Sequence, residues 1–247
     1  MRIEMIDLNK ERHVTLTVYL QEVGGEFKHV AKRPAVLILP GGGYHFCSDR
    51  EADPVSLQYL AAGYQAFVLR YSVNEHKAWP TPLEDYEAAM EMIRANADTW
   101  NLHADKVTVV GFSAGGHLAA AAATSSRNRP NAAILAYACL DDDIKVHSPS
   151  APNTVEAIDE HTCPCFLFST RDDTIVKISN TLNFMQQLDK HNVPFECHIY
   201  SHGPHGISTN CEDVQWVGNL ACTRASHWVA DSIGWLRDTL GEWRDWE

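Results

Sequence analysis

Short β-branched apolar runs alternate along the chain with longer segments in which apolar residues recur every three or four positions. The runs at 14–21, 35–39, 65–71, 107–110, 132–137, 165–169 and 195–200 have strand length and are bounded by Gly, Pro or Asp. Between them, 54–62, 82–96, 114–125, 178–191 and 223–240 carry helical spacing, the last with Trp228, Ile233, Trp235 and Leu236 as a stripe for the core. Strands joined through helices of this length pair in parallel, because the crossover returns the chain to the same end of the sheet. The expectation is a single α/β domain over residues 1–247, with a mostly parallel central sheet covered by helices on both faces. Active groups then collect at the carboxyl ends of the strands. The segment 141–162 breaks the rhythm with Asp141-Asp142-Asp143, two prolines and small polar residues, and is read as a surface excursion over the sheet edge with a solvated acidic triplet.

Composition narrows the function classes. A chain that is 45% hydrophobic and 21% charged has the balance of a soluble globular protein, and its apolar runs are too short to span a bilayer. A net charge of −12 argues against a nucleic-acid surface, which needs clustered Lys and Arg. Arg2, Glu4, Asp7, Lys10, Glu11 and Arg12 interrupt the first thirty residues, so no secretory core is expected there and the protein is read as cytoplasmic. The seven cysteines are an odd set in apolar surroundings, which reads as reduced core thiols. Cys163-Pro-Cys165 lacks the redox spacing and His202/His205 lack a helical zinc frame, so no metal and no cofactor is expected.

The chemistry concentrates in Gly111-Phe112-Ser113-Ala114-Gly115-Gly116-His117, between an apolar strand and an alanine-rich helix. This is the pattern of a nucleophile elbow, a sharp strand-to-helix turn that lifts a serine oxygen above the sheet beside the amides of a helix N-terminus. Ser113 is the expected nucleophile. A serine hydroxyl needs a base to take its proton and a carboxylate to orient that base. Two later strands run into suitable turns: Thr170-Arg171-Asp172-Asp173, and Ser201-His202-Gly203-Pro204-His205-Gly206. His205 is preferred over His202 because its glycines and proline make a tight loop that returns the ring over the sheet. Either aspartate suits the orienting role, and either also suits a helix cap. The turn Pro40-Gly41-Gly42-Gly43-Tyr44 lets the backbone approach a substrate carbonyl with its N–H groups, and the Ala114 N–H completes an oxyanion hole.

These motifs resemble the α/β-hydrolase esterases related to hormone-sensitive lipase, and within them the small bacterial acetylesterase and acetylxylan-esterase-like enzymes. The resemblance rests on Pro40–Tyr44, on Ala62-Gly63-Tyr64 with Phe67-Val68-Leu69-Arg70-Tyr71, and on Gly111 through Ala119. Asp173 before Ile175-Val176 and Gly203-Pro204-His205-Gly206 complete it, so that it covers most of the chain from Ala35 onward. It implies Ser113 as nucleophile, Asp173 as the orienting carboxylate, His205 as base, and Gly41, Gly42 and Ala114 as oxyanion donors, with His117 structural. Pro40 stands where the wider family carries a histidine, which leaves the register of the oxyanion glycines open by one position. Lys177 replaces a frequent proline, and 141–162 is shorter than the family's usual excursion, implying a minimal cap.

The expected function is a serine carboxylesterase that removes acetyl or another short acyl group, from carbohydrates among others, through an acyl-enzyme. Its partner is a small-molecule ester, and the chain is free to act as a homo-oligomer. The same triad cleaves amides, so a peptidase or arylformamidase is the alternative, and a non-catalytic binding protein on the same fold is the rival from outside enzymes.

Overall fold

Eight strands, β1 (Arg2–Asn9), β2 (Val14–Leu20), β3 (Arg33–Leu39), β4 (Gln65–Arg70), β5 (Leu102–Phe112), β6 (Ala132–Ala136), β7 (Cys165–Thr170) and β8 (Phe195–Tyr200), build one sheet in the order β1-β2-β4-β3-β5-β6-β7-β8. The computed structural model describes residues 1–215 and 221–245. From β4 to β8 every pairing is parallel, while β1 and β2 add an antiparallel hairpin to one edge. Among the described residues four α-helices lie between strands, α1 (Asp53–Ala61), α2 (Thr81–Ala95), α3 (Ser113–Ser125) and α4 (Ser179–Lys190), and α5 (Trp228–Leu240) follows β8.

The twofold period of the strands divides the core into two layers. Leu37, Leu39, Val107, Val109, Leu135 and Leu167 face Tyr86, Met90 and Ile93 of α2, Leu118 of α3 and Phe184 and Leu188 of α4. The alternate residues Val36, Ile38, Val110, Phe112, Ile134, Phe166 and Phe168 face Val55 and Tyr59 of α1 and Trp228 and Leu236 of α5. Central strands buried on both faces explain the continuous apolar runs of the sequence. This is the α/β arrangement expected, with helices on both faces.

The differences lie at the margins. The apolar pattern does not predict β1, because its exposed Ile3 and Met5 interleave with charge and only Ile6 and Leu8 pack on the core. An edge strand covered on one side gives a weak alternation. The run 107–110 is the buried end of the longer β5, and the helix expected at 223–240 opens with a 3-10 turn, Thr223–His227, before α5. Among the described residues no helix is long and apolar enough to cross a membrane.

The excursion after β6 is short and held at several points. It contains one 3-10 turn, Asp142–Val146, with Asp142 and Asp143 exposed. Asn180 Oδ1 accepts the N–H groups of Leu140 (2.6 Å) and Asp141 (3.1 Å). Ser150 Oγ accepts the Trp79 N–H at 2.9 Å, and Arg129 grips Asp159 through two bonds of 2.8 and 2.9 Å.

Candidate active site

The chain turns abruptly where β5 meets α3. Phe112 is still extended (φ −116°, ψ 130°), Ser113 takes φ +52°, and the helix begins at once. A left-handed serine is strained, and it persists here because the surrounding backbone fixes it. Gly115 shows how tightly: a Cβ there would lie 2.1 Å from Leu39 O and 2.5 Å from Pro40 O, so α3 starts directly beneath the glycine loop that follows β3. In that loop Gly42 has φ +132°, and its Cβ would lie 2.1 Å from Phe46 O.

Ser113 Oγ lies 2.7 Å from His205 Nε2, and His205 Nδ1 lies 2.7 Å from Asp173 Oδ2. The side chain of Asp173 is 1% exposed, and its second oxygen accepts the N–H groups of Ile175 (2.8 Å) and Val176 (3.0 Å). A carboxylate so ringed by donors is held in one direction. Asp172 turns the other way and accepts the Gly203 N–H at 2.7 Å, while Thr170 Oγ1 donates to Gly203 O at 2.8 Å. The aspartates thus divide two tasks, one facing the imidazole and one anchoring its loop. His202 is exposed and paired with Ser201, away from Ser113.

Gly41, Gly42 and Ala114 all border Ser113, yet the Gly41 N–H is already committed: it donates to Glu51 Oε2 at 2.8 Å. Ala114 lies in the first turn of α3, whose amides have no acceptor within the helix. Ser113 and His205 open into a cavity of about 570 Å³, lined also by Gly42, Phe46, His147 and Ile175. Among the described residues no cluster of three metal-ligating side chains occurs.

Sequence reasoning missed the polar layer beneath Ser113, His205 and Asp173. Glu51 is 3% exposed; burial pushes its carboxyl up, against the bonds from Tyr137 and Gly41 that favour the charged form. Tyr137 donates to Glu51 Oε1 at 2.7 Å, accepts the Ser208 N–H at 3.0 Å, and stands edge-on to the His205 ring at 5.1 Å. Ser48-Asp49-Arg50-Glu51 has the composition of a surface turn, and the one available signal was its position just after the glycine loop. His117 has the structural setting expected. It is fully buried, with Nε2 bonded to Pro152 O (2.9 Å) and Nδ1 to Tyr44 Oη (2.8 Å). Because a carbonyl only accepts, Nε2 carries the proton and the tyrosine donates to Nδ1. Burial pushes the ring down to about 4, so it is neutral at pH 7. Tyr44 is itself buried, packed against Tyr71, Trp79 and His117.

The parallel sheet, the strained serine at the tip of β5 and the aspartate and histidine after β7 and β8 define an α/β-hydrolase. The chain belongs to the BD-FAE family, whose model matches residues 25–156, more than half of the 247. It is similar to the crystal structure of MGS-M1, an α/β-hydrolase enzyme from a Medee basin deep-sea metagenome library. That likeness has a TM-score of 0.91 and 43% identity over 97% of this chain and 98% of the other. Among curated proteins it is similar to an endo-1,4-β-xylanase B of Butyrivibrio fibrisolvens, 28% identical over 72% of this chain and 33% of the relative. An acetylxylan esterase of Xylanibacter ruminicola is 30% identical over 70% of this chain and 41% of the relative. The chain therefore spans a third to two fifths of the length of these curated relatives.

Proposed function

We propose that the chain is a serine carboxylesterase that removes acetyl or another short acyl group from a carbohydrate-like alcohol. The observation that carries this reading is the unbroken relay from Ser113 Oγ to His205 Nε2 and from His205 Nδ1 to Asp173, both links at 2.7 Å, on a serine held at φ +52°. Ser113 Oγ attacks the ester carbonyl as His205 Nε2 takes its proton, and Asp173 holds the ring and balances the charge it gains. The amides of Gly42 and Ala114 receive the developing oxyanion; each donor of this kind contributes about 3–4 kcal/mol to lowering the barrier. Collapse of the tetrahedral species returns the proton from His205 to the leaving alcohol, and water then releases the acid by the same steps in reverse order.

The substrate reading rests on two supports. An acetylxylan esterase is among the relatives, and the short excursion contributes only His147 to the lining of the cavity at Ser113 among the described residues, which suits small acyl groups on bulky alcohols. The test is hydrolysis of p-nitrophenyl esters from acetate through octanoate by the wild type beside a folded Ser113→Ala variant. Turnover that is greatest on acetate or propionate and lost in the variant is expected. An optimum at octanoate would overturn the short-acyl assignment, and equal rates in the two proteins would remove Ser113 from the chemistry.

A further inference from the structure

We propose that Glu51 is a positioning residue that holds the oxyanion loop and the histidine loop in one frame, a role that rests on the esterase reading above. Its two carboxylate oxygens are engaged from opposite sides: Oε2 by the Gly41 N–H at 2.8 Å and Oε1 by the Tyr137 O–H at 2.7 Å. Gly41 belongs to the loop after β3. Tyr137 follows β6, and its oxygen also accepts the N–H of Ser208, three residues beyond His205, while its ring supports the imidazole edge-on. The neighbouring Arg50 fastens the same loop from outside, donating to the carbonyls of Gly206 (3.0 Å) and Val214 (2.6 Å), and Ser208 Oγ donates to Arg50 O at 2.5 Å.

The chemistry explains why this position holds a carboxylate. Two donors from separate loops converge on one buried side chain, and a carboxylate alone accepts at two oxygens with no donor of its own. Burying a carboxylate is costly, and the cost is offset here because each oxygen accepts a donor, from Gly41 and from Tyr137. The same two bonds tie the backbone of one loop to a side chain of another, so the position can aim backbone as well as satisfy it. The bond to Gly41 fixes the peptide plane entering the loop. The Ser48 N–H on Gly41 O, at 2.9 Å, fixes the next plane. In a trans peptide the N–H points opposite to the carbonyl, so these two anchors set the direction of the Gly42 N–H. Glu51 thereby relates the aim of an oxyanion donor to the placement of His205, without touching the substrate's reacting atoms.

The test compares wild type, Glu51→Gln, Tyr137→Phe and the double variant as full chains on p-nitrophenyl acetate, with Ser113→Ala alongside. The amide that Glu51→Gln introduces has one accepting oxygen, so one of the two bonds is lost in that variant. Loss of aim should lower kcat by about 10- to 100-fold while KM stays within about threefold, since misplacement of an oxyanion donor acts on the transition state. Binding of a trifluoromethyl ketone should weaken in proportion to kcat/KM. Tyr137→Phe should lose about three- to tenfold in kcat, and the double variant should be no slower than Glu51→Gln, because both act through one network. A folded Glu51→Gln enzyme with kcat within about twofold of wild type, or a loss carried by KM, overturns the proposal. Should Glu51→Gln fail to fold, Tyr137→Phe decides alone, an unchanged kcat overturning it. Turnover surviving in Ser113→Ala would instead strike the esterase reading, an outcome separate from all of these.

Discussion

Asp172 and Asp173 are neighbours in sequence that face opposite ways, one 2.7 Å from the Gly203 N–H and the other 2.7 Å from His205 Nδ1. Asparagine at 173 would offer an N–H where the imidazole needs an acceptor and would favour the wrong tautomer. Asp173→Asn should therefore reduce kcat on p-nitrophenyl acetate on the order of 10⁴-fold with the fold intact. Asp172→Ala removes one loop anchor, which should cost about 1 kcal/mol of stability and less than about tenfold in kcat. Steady-state kinetics and thermal melts of the two variants separate these roles. Equal catalytic losses would contradict the division of labour.

Ser113 stores backbone strain at φ +52°. Replacement by alanine and by glycine removes the same hydrogen bond to His205, but only glycine accepts φ +52° without cost. Ser113→Gly should unfold at higher denaturant than Ser113→Ala, by about 1 kcal/mol, although both are inactive. Equal midpoints in urea would mean that the turn relaxes around alanine.

His117 gives stability a specific pH dependence. Its folded value, pushed by burial from 6.5 down to about 4, lies below the value of an unfolded chain, so the unfolded state binds the proton more readily. The stabilisation is complete above about pH 6.5 and declines as pH falls toward 4, by up to about 3 kcal/mol. A His117→Gln variant should show a flatter fall in Tm between neutral and acidic pH than wild type, measured by scanning calorimetry. Parallel curves would assign the acid lability to other groups.

Two glycines in helices should respond in opposite directions. At Gly115 a methyl group meets backbone oxygens at 2.1 and 2.5 Å that cannot move aside, whereas at Gly234 in α5 nothing lies within 4 Å of the added carbon. Gly115→Ala should lose soluble expression or several degrees of Tm. Gly234→Ala should gain about 1 kcal/mol from helix propensity alone. A neutral Gly115→Ala would show that the contact between the elbow and the glycine loop can slide.

The sheet was legible because its central strands are buried on both faces and read as unbroken apolar runs; Val36 through Leu39 is such a run. The elbow was legible because backbone this close demands glycine at fixed offsets. The glycines and proline around His205 pointed to a loop that turns back sharply, and His205 Nε2 lies 2.7 Å from Ser113 Oγ. Glu51 was hidden for a physical reason. A charged residue in a polar turn looks solvated, and only the meeting of three loops distant in sequence buries it. The aspartate pair was open for a similar reason, because local pattern cannot say which of two adjacent carboxylates turns inward. β1 escaped because one of its faces meets little else.

The bonds that fasten the excursion have a kinetic meaning. Pro152 is tied to the elbow helix through His117, Leu140 and Asp141 to α4 through Asn180, and Ser150 to the segment before α2 through Trp79. Displacing the excursion would break all of these bonds together. An excursion fastened in this way does not act as a hinged cover, so turnover should rise smoothly with dissolved ester, without abrupt activation at a lipid droplet surface.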